Sequence, residues 1–365
     1  MAANESFGTG STFAWMADAE LELGNYRAAL ERALVQGNDG DIGGAIAGAL
    51  GMFWHRSSLR TEGRYWCGLA LESVNEVEQP RIAAHLWLTL ARLSTGGTYV
   101  GAAERAVRLF ESVSDARWAG RARRQLAWAL LFTGRAAEAN DLISQALAAA
   151  RSCEDTSSVA YCLFAQAWVK APSDAGEARN LCAQAIAAFD ASGDEIGYAI
   201  ALSVLAEIEF ADGQPEPALH LALEAREIQL RGKDAKNIAE VYSNIAAYSI
   251  ALGDHRGARA SAEEALRWGQ RGGLETEIAV ALQHLALLSS LANNDRRAAK
   301  LLGYVDAQFD AHRSKREPTE QWGCDKLVSA LRAKLSAGEL AELSAEGAAW
   351  SEDQALQEAL SEVHE

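Results

Sequence analysis

The 365-residue chain carries 34 Lys and Arg against 50 Asp and Glu, a formal charge of −16, with 49% apolar residues and only 5 Pro. This composition supplies ample material for a continuous core and argues against disorder, while the acidity argues against backbone binding to nucleic acid, which rests on clustered Lys and Arg. Alanine is abundant, as in Ala146 to Ala150, with Leu, Glu and Arg beside it and little Val, Ile or Thr, so an all-α fold is expected.

At the amino terminus no basic segment precedes Arg27, and no apolar run has the length of a signal peptide. Gly8-Thr9-Gly10-Ser11-Thr12 lacks the length and the lysine of a GxxxxGK[ST] phosphate loop. Gly24-Asn25-Tyr26-Arg27-Ala28-Ala29 then reads as a turn glycine, a helix start and a small residue five positions on. Gly134 to Ala139 and Gly253 to Ala258 repeat that reading. The small residue recurs at Ala29, Gly68, Ala102, Ala139, Ala178, Ala218, Ala258 and Ala299, at spacings of 34 to 41 residues. From the fourth unit a second alanine follows two helical turns later, at Ala146, Ala185, Ala225 and Ala265, on the same face.

Small side chains allow close helix approach, and the preceding glycine supplies the left-handed conformation that ends the first helix. Each unit is therefore expected to be a helical hairpin. Ala171-Pro172-Ser173-Asp174 replaces the glycine turn in the fifth unit, and Pro215 and Pro217 sit where a helix start tolerates proline. The longest apolar stretch, Ala160 to Val169, is broken by Gln166 and cannot span a bilayer. The five cysteines (Cys67, Cys153, Cys162, Cys182 and Cys324) form no CxxC pair, which fits reduced, buried thiols in a cytoplasmic protein.

This pattern resembles the tetratricopeptide family, whose standard repeat is 34 residues, with units here about a turn longer. The resemblance implies a right-handed α-solenoid of about eight helical hairpins over residues 1–310, closed by a helical cap over 311–365. A narrower likeness rests on two segments. Gly48-Ala49-Leu50-Gly51-Met52-Phe53-Trp54, followed by Glu62-Gly63-Arg64-Tyr65-Trp66, is similar to the run that opens the repeat region of large bacterial signal-transduction (STAND-type) ATPase regulators. Arg297-Ala298-Ala299-Lys300-Leu301-Leu302-Gly303, then Leu331-Arg332-Ala333, Glu346-Gly347-Ala348 and Ser351-Glu352-Asp353-Gln354-Ala355, resembles that family's closing cap. Ser344 and Ala348 depart from its usual Trp and Arg. The likeness covers only the carboxy-terminal repeat region, so neither nucleotide hydrolysis nor DNA binding carries over.

No catalytic motif is found. His55, His85, His220, His255, His284, His312 and His364 stand singly, no HExxH or GxSxG occurs, and no cofactor or metal is implied. In the tetratricopeptide architecture the first helix of each unit lines a concave groove. That places Phe53, Trp87, Arg121, Arg124 and Trp128 along one half, and Leu163, Ser203, Glu207, Glu240, Ser243 and His284 along the other. Arg121 and Arg124 suit a carboxylate or phosphate, and the indoles add apolar anchors; the same aromatics and arginines also fit inter-helix core and internal ion pairs. The expected function is a non-catalytic binding module, the sensor or interaction region of an ATPase-type regulator. Its partner would be a peptide, a protein segment or a small acidic effector, with no direct nucleic acid and no membrane. The alternatives are a free-standing scaffold or an enzyme built on repeats.

Overall fold

Twenty α-helices and no strand make up the described residues of a computed structural model, which are 11–37, 39–57, 59–94, 96–312 and 314–361. Gly8-Thr9-Gly10 and His364 lie outside them. The chain forms two compact units that divide between Ala201 and Leu202. The first unit begins with α1 (Thr12–Leu21), α2 (Leu23–Leu30), a π-helical turn (Glu31–Val35), α3 (Gly40–Ala49), α4 (Gly51–Arg56) and α5 (Arg60–Ser73). It continues with α6 (Pro80–Leu93), α7 (Gly96–Ser112), α8 (Ala116–Phe132), α9 (Ala136–Ser152), α10 (Thr156–Lys170) and α11 (Ala175–Ser192), and α12 (Glu195–Ala211) contains the division. The second unit holds α13 (Pro215–Gly232), α14 (Ala235–Ala251), α15 (His255–Gly272), α16 (Glu275–Leu291) and α17 (Asp295–His312). It ends with α18 (Pro318–Lys334), α19 (Ala337–Ala348) and α20 (Glu352–Leu360).

Within the first unit each helix from α6 to α11 packs on the next, and within the second the same holds from α13 to α17. The alanine anchors explain this. Ala102, Ala139, Ala178, Ala218, Ala258 and Ala299 are buried, as are the second alanines Ala146, Ala185, Ala225 and Ala265. Overpacking such a site costs about 1–3 kcal/mol, so Ala218→Leu is expected to lower stability by that amount in urea titration. An unchanged midpoint would show that α13 does not pack through Ala218.

Hairpin turns use the left-handed region at Gly134, Gly213 and Gly253, with φ of 80°, 77° and 81°, and at Asn293, with φ of 64°. Entry to the helices is set by aspartates: Asp115, Asp155, Asp174, Asp234 and Asp254 each accept the backbone N–H three residues ahead.

The register differs at the start. Gly24 makes no turn, because the Glu22 N–H donates to Asp18 O (3.3 Å) and the Tyr26 N–H to Glu22 O (3.0 Å), both helical bonds that carry the chain through. Ala29 and Gly68 are only half-buried, and Leu30, Cys67 and Ala70 take the core positions beside them. At the other end α18, α19 and α20 pack on α16 and α17 inside the second unit.

Candidate functional site

The first helices of successive repeats touch one another: α6 meets α8, and α8 meets α10. A ladder with a 40-residue period joins them. Arg81, Arg121 and Tyr161 hold equivalent positions, and each donates to the capping aspartate that opens the next first helix. Arg81 reaches Asp115, Arg121 Nε reaches Asp155 Oδ2 at 2.8 Å, and Tyr161 OH reaches Asp194 Oδ2 at 2.6 Å. The sequence carries this signal as aspartates at 115, 155, 194 and 234, with Arg121 and Tyr161 each six residues after the caps Asp115 and Asp155; it is not visible from alanine spacing.

Along the seam between α8 and α10 the contacts grade from polar to aromatic. The Arg121 guanidinium lies over Trp118 at 4.6 Å, and that of Arg124 over Tyr161 at 4.3 Å. Trp128 then packs against Phe164 (5.5 Å), Phe132 (5.9 Å) and Trp168 (6.3 Å). Phe132 is 72% exposed at the helix end, an unusual position for a large aromatic ring.

The polar end of the seam continues inward. Arg56 Nη2, from α4, donates to Tyr161 OH at 2.5 Å and approaches Asp194 at 3.4 Å. Asp194, which is 0% exposed, also accepts from the Gly197 N–H (2.9 Å) and the Thr12 hydroxyl (3.2 Å). The Thr12 N–H meanwhile reaches Gly193 O at 3.1 Å and the Ser11 hydroxyl reaches Glu195 at 2.5 Å, so the start of α1 closes on the start of α12.

Beside this network lies Arg92, on α6, which is 8% exposed and has no carboxylate or hydrogen-bond acceptor on its guanidinium among the described residues. Arg124 likewise has no ion pair there, and its Nε is buried without a partner. Burial, reinforced by the Arg124 and Arg121 charges, lowers the Arg92 pKa to about 9. Burial together with Arg60, Arg56 and Arg92 holds His55 neutral, its pKa lowered to about 3. Burial raises the Tyr99 and Tyr161 hydroxyls, which stay protonated as hydrogen-bonding groups.

The structure thus brings Arg121, Arg124 and Trp128 together on one seam. Arg121 is already paired, and the neighbouring members Arg92, Arg56, Tyr99 and Tyr161 come from helices whose proximity only the fold reveals. Trp87 is half-buried and tied locally, its Nε1 donating to Glu76 at 2.7 Å while Arg105 sits 5.4 Å over its ring. Phe53 is a correction: it lies buried in the core with Trp54, Trp66 and Leu86, and offers no surface to a ligand.

In the second unit Ser203 accepts from Gln229 at 3.2 Å, Glu207 accepts from Asn244 at 2.9 Å, and Glu240 is exposed and paired with Lys236 at 2.7 Å. Ser243 and His284 are also corrections, since both are buried among core residues rather than presented to a groove. Burial, with Glu317 adding repulsion, raises the Glu207 pKa to about 8, and Glu320 is raised to about 7 chiefly by burial. None of the five cysteines forms a disulfide among the described residues, and four are buried. Among the described residues no group of three His, Cys, Asp or Glu could hold a metal ion, and no helix is long and apolar enough to cross a membrane.

No protein-family model matches the sequence, and no curated protein does. Solved structures are similar in fold. A Rap protein complexed with competence and sporulation factor is 14% identical, with a TM-score of 0.55 over 82% of this chain and 85% of that one. The quorum sensor NprR from B. thuringiensis, in its apo form, is 14% identical, with a TM-score of 0.50 over 86% of this chain and 99% of that one. The STAND protein with a tetratricopeptide repeat sensor, PH0952 from Pyrococcus horikoshii, is 14% identical, with a TM-score of 0.50 over 89% of this chain and 52% of that one. The chain therefore has the all-α fold of tetratricopeptide-like helical repeat proteins.

Proposed function

We propose that the chain is a non-catalytic binding module that holds a peptide or protein segment along the α8–α10 seam, as the sensor or interaction region of a cytoplasmic regulator. The observation that carries this reading is the seam itself: an unpaired Arg124 one turn from Trp128, with Phe132 exposed beyond it. A segment lying there would place an acidic group against guanidinium and an apolar side chain against three aromatic rings, the combination from which most interface energy is drawn. Support comes from the similar structures, one of which is described as complexed with competence and sporulation factor, another as a quorum sensor and a third as a signal-transduction ATPase with a tetratricopeptide repeat sensor. Binding would favour one arrangement of the repeats and so bias an attached or associated switch.

A phage-displayed random peptide library selected on the whole chain tests this. The selected peptides are expected to carry an acidic residue near an aromatic or aliphatic one, and to bind Phe132→Ser at least about tenfold more weakly. Phe132 is exposed, so the variant should melt as the parent does. Peptides that bind Phe132→Ser with undiminished affinity would sink the reading.

A further inference from the structure

In the first unit Arg27, Arg81, Arg105, Arg121, Arg123 and Arg135 each sit on a carboxylate. Arg92 and Arg124 do not, although Arg92 is more buried than any of those six. A guanidinium cannot shed its proton at physiological pH, and a buried cation without a counter-charge costs several kcal/mol. The half-buried Arg124, close enough for its charge to act on Arg92, compounds that cost. The acids of the adjoining network are committed: Asp155 to Arg121, and Asp194 to Arg56, Tyr161 and the Gly197 N–H. The protein as a whole carries 16 more negative than positive charges, so this deficit of anions is local.

We propose that Arg92 and Arg124, flanked by the Tyr99 hydroxyl and the face of the Tyr161 ring, form a binding site for an oxyanion group, a phosphate or a carboxylate. Two planar guanidinium forks offer bidentate donors to such a group, and the Tyr99 hydroxyl, which accepts from Gln125, remains protonated and able to donate, whereas the Tyr161 proton is already donated to Asp194. The site itself stands on the unpaired arginines; only the identification of a peptide or effector as the carrier of the anion rests on the binding-module reading above.

Thermal melting of the full chain with inorganic phosphate, and separately with citrate, against sodium chloride at matched ionic strength, tests the site. Phosphate or citrate at about 10 mM is expected to raise Tm by several degrees, because a ligand that binds only the folded state stabilises it. Chloride should not. Arg92→Met should melt higher than the parent in anion-free buffer and lose the response. Should Arg92→Met not fold, Arg124→Gln is expected to lose most of the response instead. A response to phosphate alone assigns a phosphate-bearing ligand, and one to citrate alone a carboxylate. No response to either in the parent chain, or an unchanged response in both variants, overturns the proposal. Phe132→Ser should keep the full anion response, so failure of peptide binding at the aromatic end and failure of the anion site are separately visible.

Discussion

Asp194→Ala is expected to destabilise the first unit by about 3–5 kcal/mol, because it removes the carboxylate that faces the buried Arg56 guanidinium. Asp194 is 0% exposed and accepts from Tyr161, Gly197 and Thr12 besides Arg56, so one truncation removes an acceptor from four donors at once. The closure of α1 on α12 depends on the same residue. Urea titration followed by circular dichroism should show the loss. The double variant Arg56→Met/Asp194→Asn should recover much of it, since Asn retains the helix cap and Met removes the stranded charge. If the double variant is as unstable as Asp194→Ala, the penalty does not arise from the buried charge.

The second large effect is expected at the closing helices. A Cβ placed on Gly347 would fall on the backbone carbonyl of Lys300, and one placed on Gly303 on that of Ser344. α17 and α19 therefore cross at backbone contact, and no flexible side-chain end is available to give way. Gly347→Ala is expected to cost about 3 kcal/mol, at the upper end for overpacking, and to expose α19 and α20 to fast amide exchange while α14 to α16 remain protected. Protection of α19 equal to the parent's would show that the crossing is looser than the backbone indicates. Both glycines belong to the segments that resemble the closing cap of signal-transduction ATPases, and their role here is helix packing.

From α7 onward the fold was legible because alanine at the helix crossing is a steric requirement, and six of the eight anchors are buried where spacing put them. The start of the chain misled for a local reason. Gly24-Asn25 has the chemistry of a turn, but glycine costs a helix only about 1 kcal/mol, and here Glu22 carries the helical hydrogen bonds through it. The register of the Gly68 unit, whose small residue is not a core anchor, then carried Phe53 onto the wrong face. His284 and Ser243 were misplaced because α16 and α14 are covered on several sides: α18 packs on both, a contact between helices distant in sequence.

The candidate site was half legible. Arg121, Arg124 and Trp128 share a helical face by spacing alone, and Tyr161 could have been found from the 40-residue recurrence of capping aspartates. Arg92 could not. Its importance lies in lacking a partner, and a missing contact is a property of the assembled helices.

The central claim, a ligand held along the α8–α10 seam, is tested most directly by photo-crosslinking. A library-selected peptide carrying a benzophenone side chain in place of its apolar anchor would be irradiated with the full chain, and the attachment point read by mass spectrometry. Adducts on Trp128, Phe132 or Trp168, lost when Arg124→Ala replaces the parent, are the result expected. Adducts confined to α14 and α16, or adducts on the seam that persist undiminished in Arg124→Ala, would contradict the account.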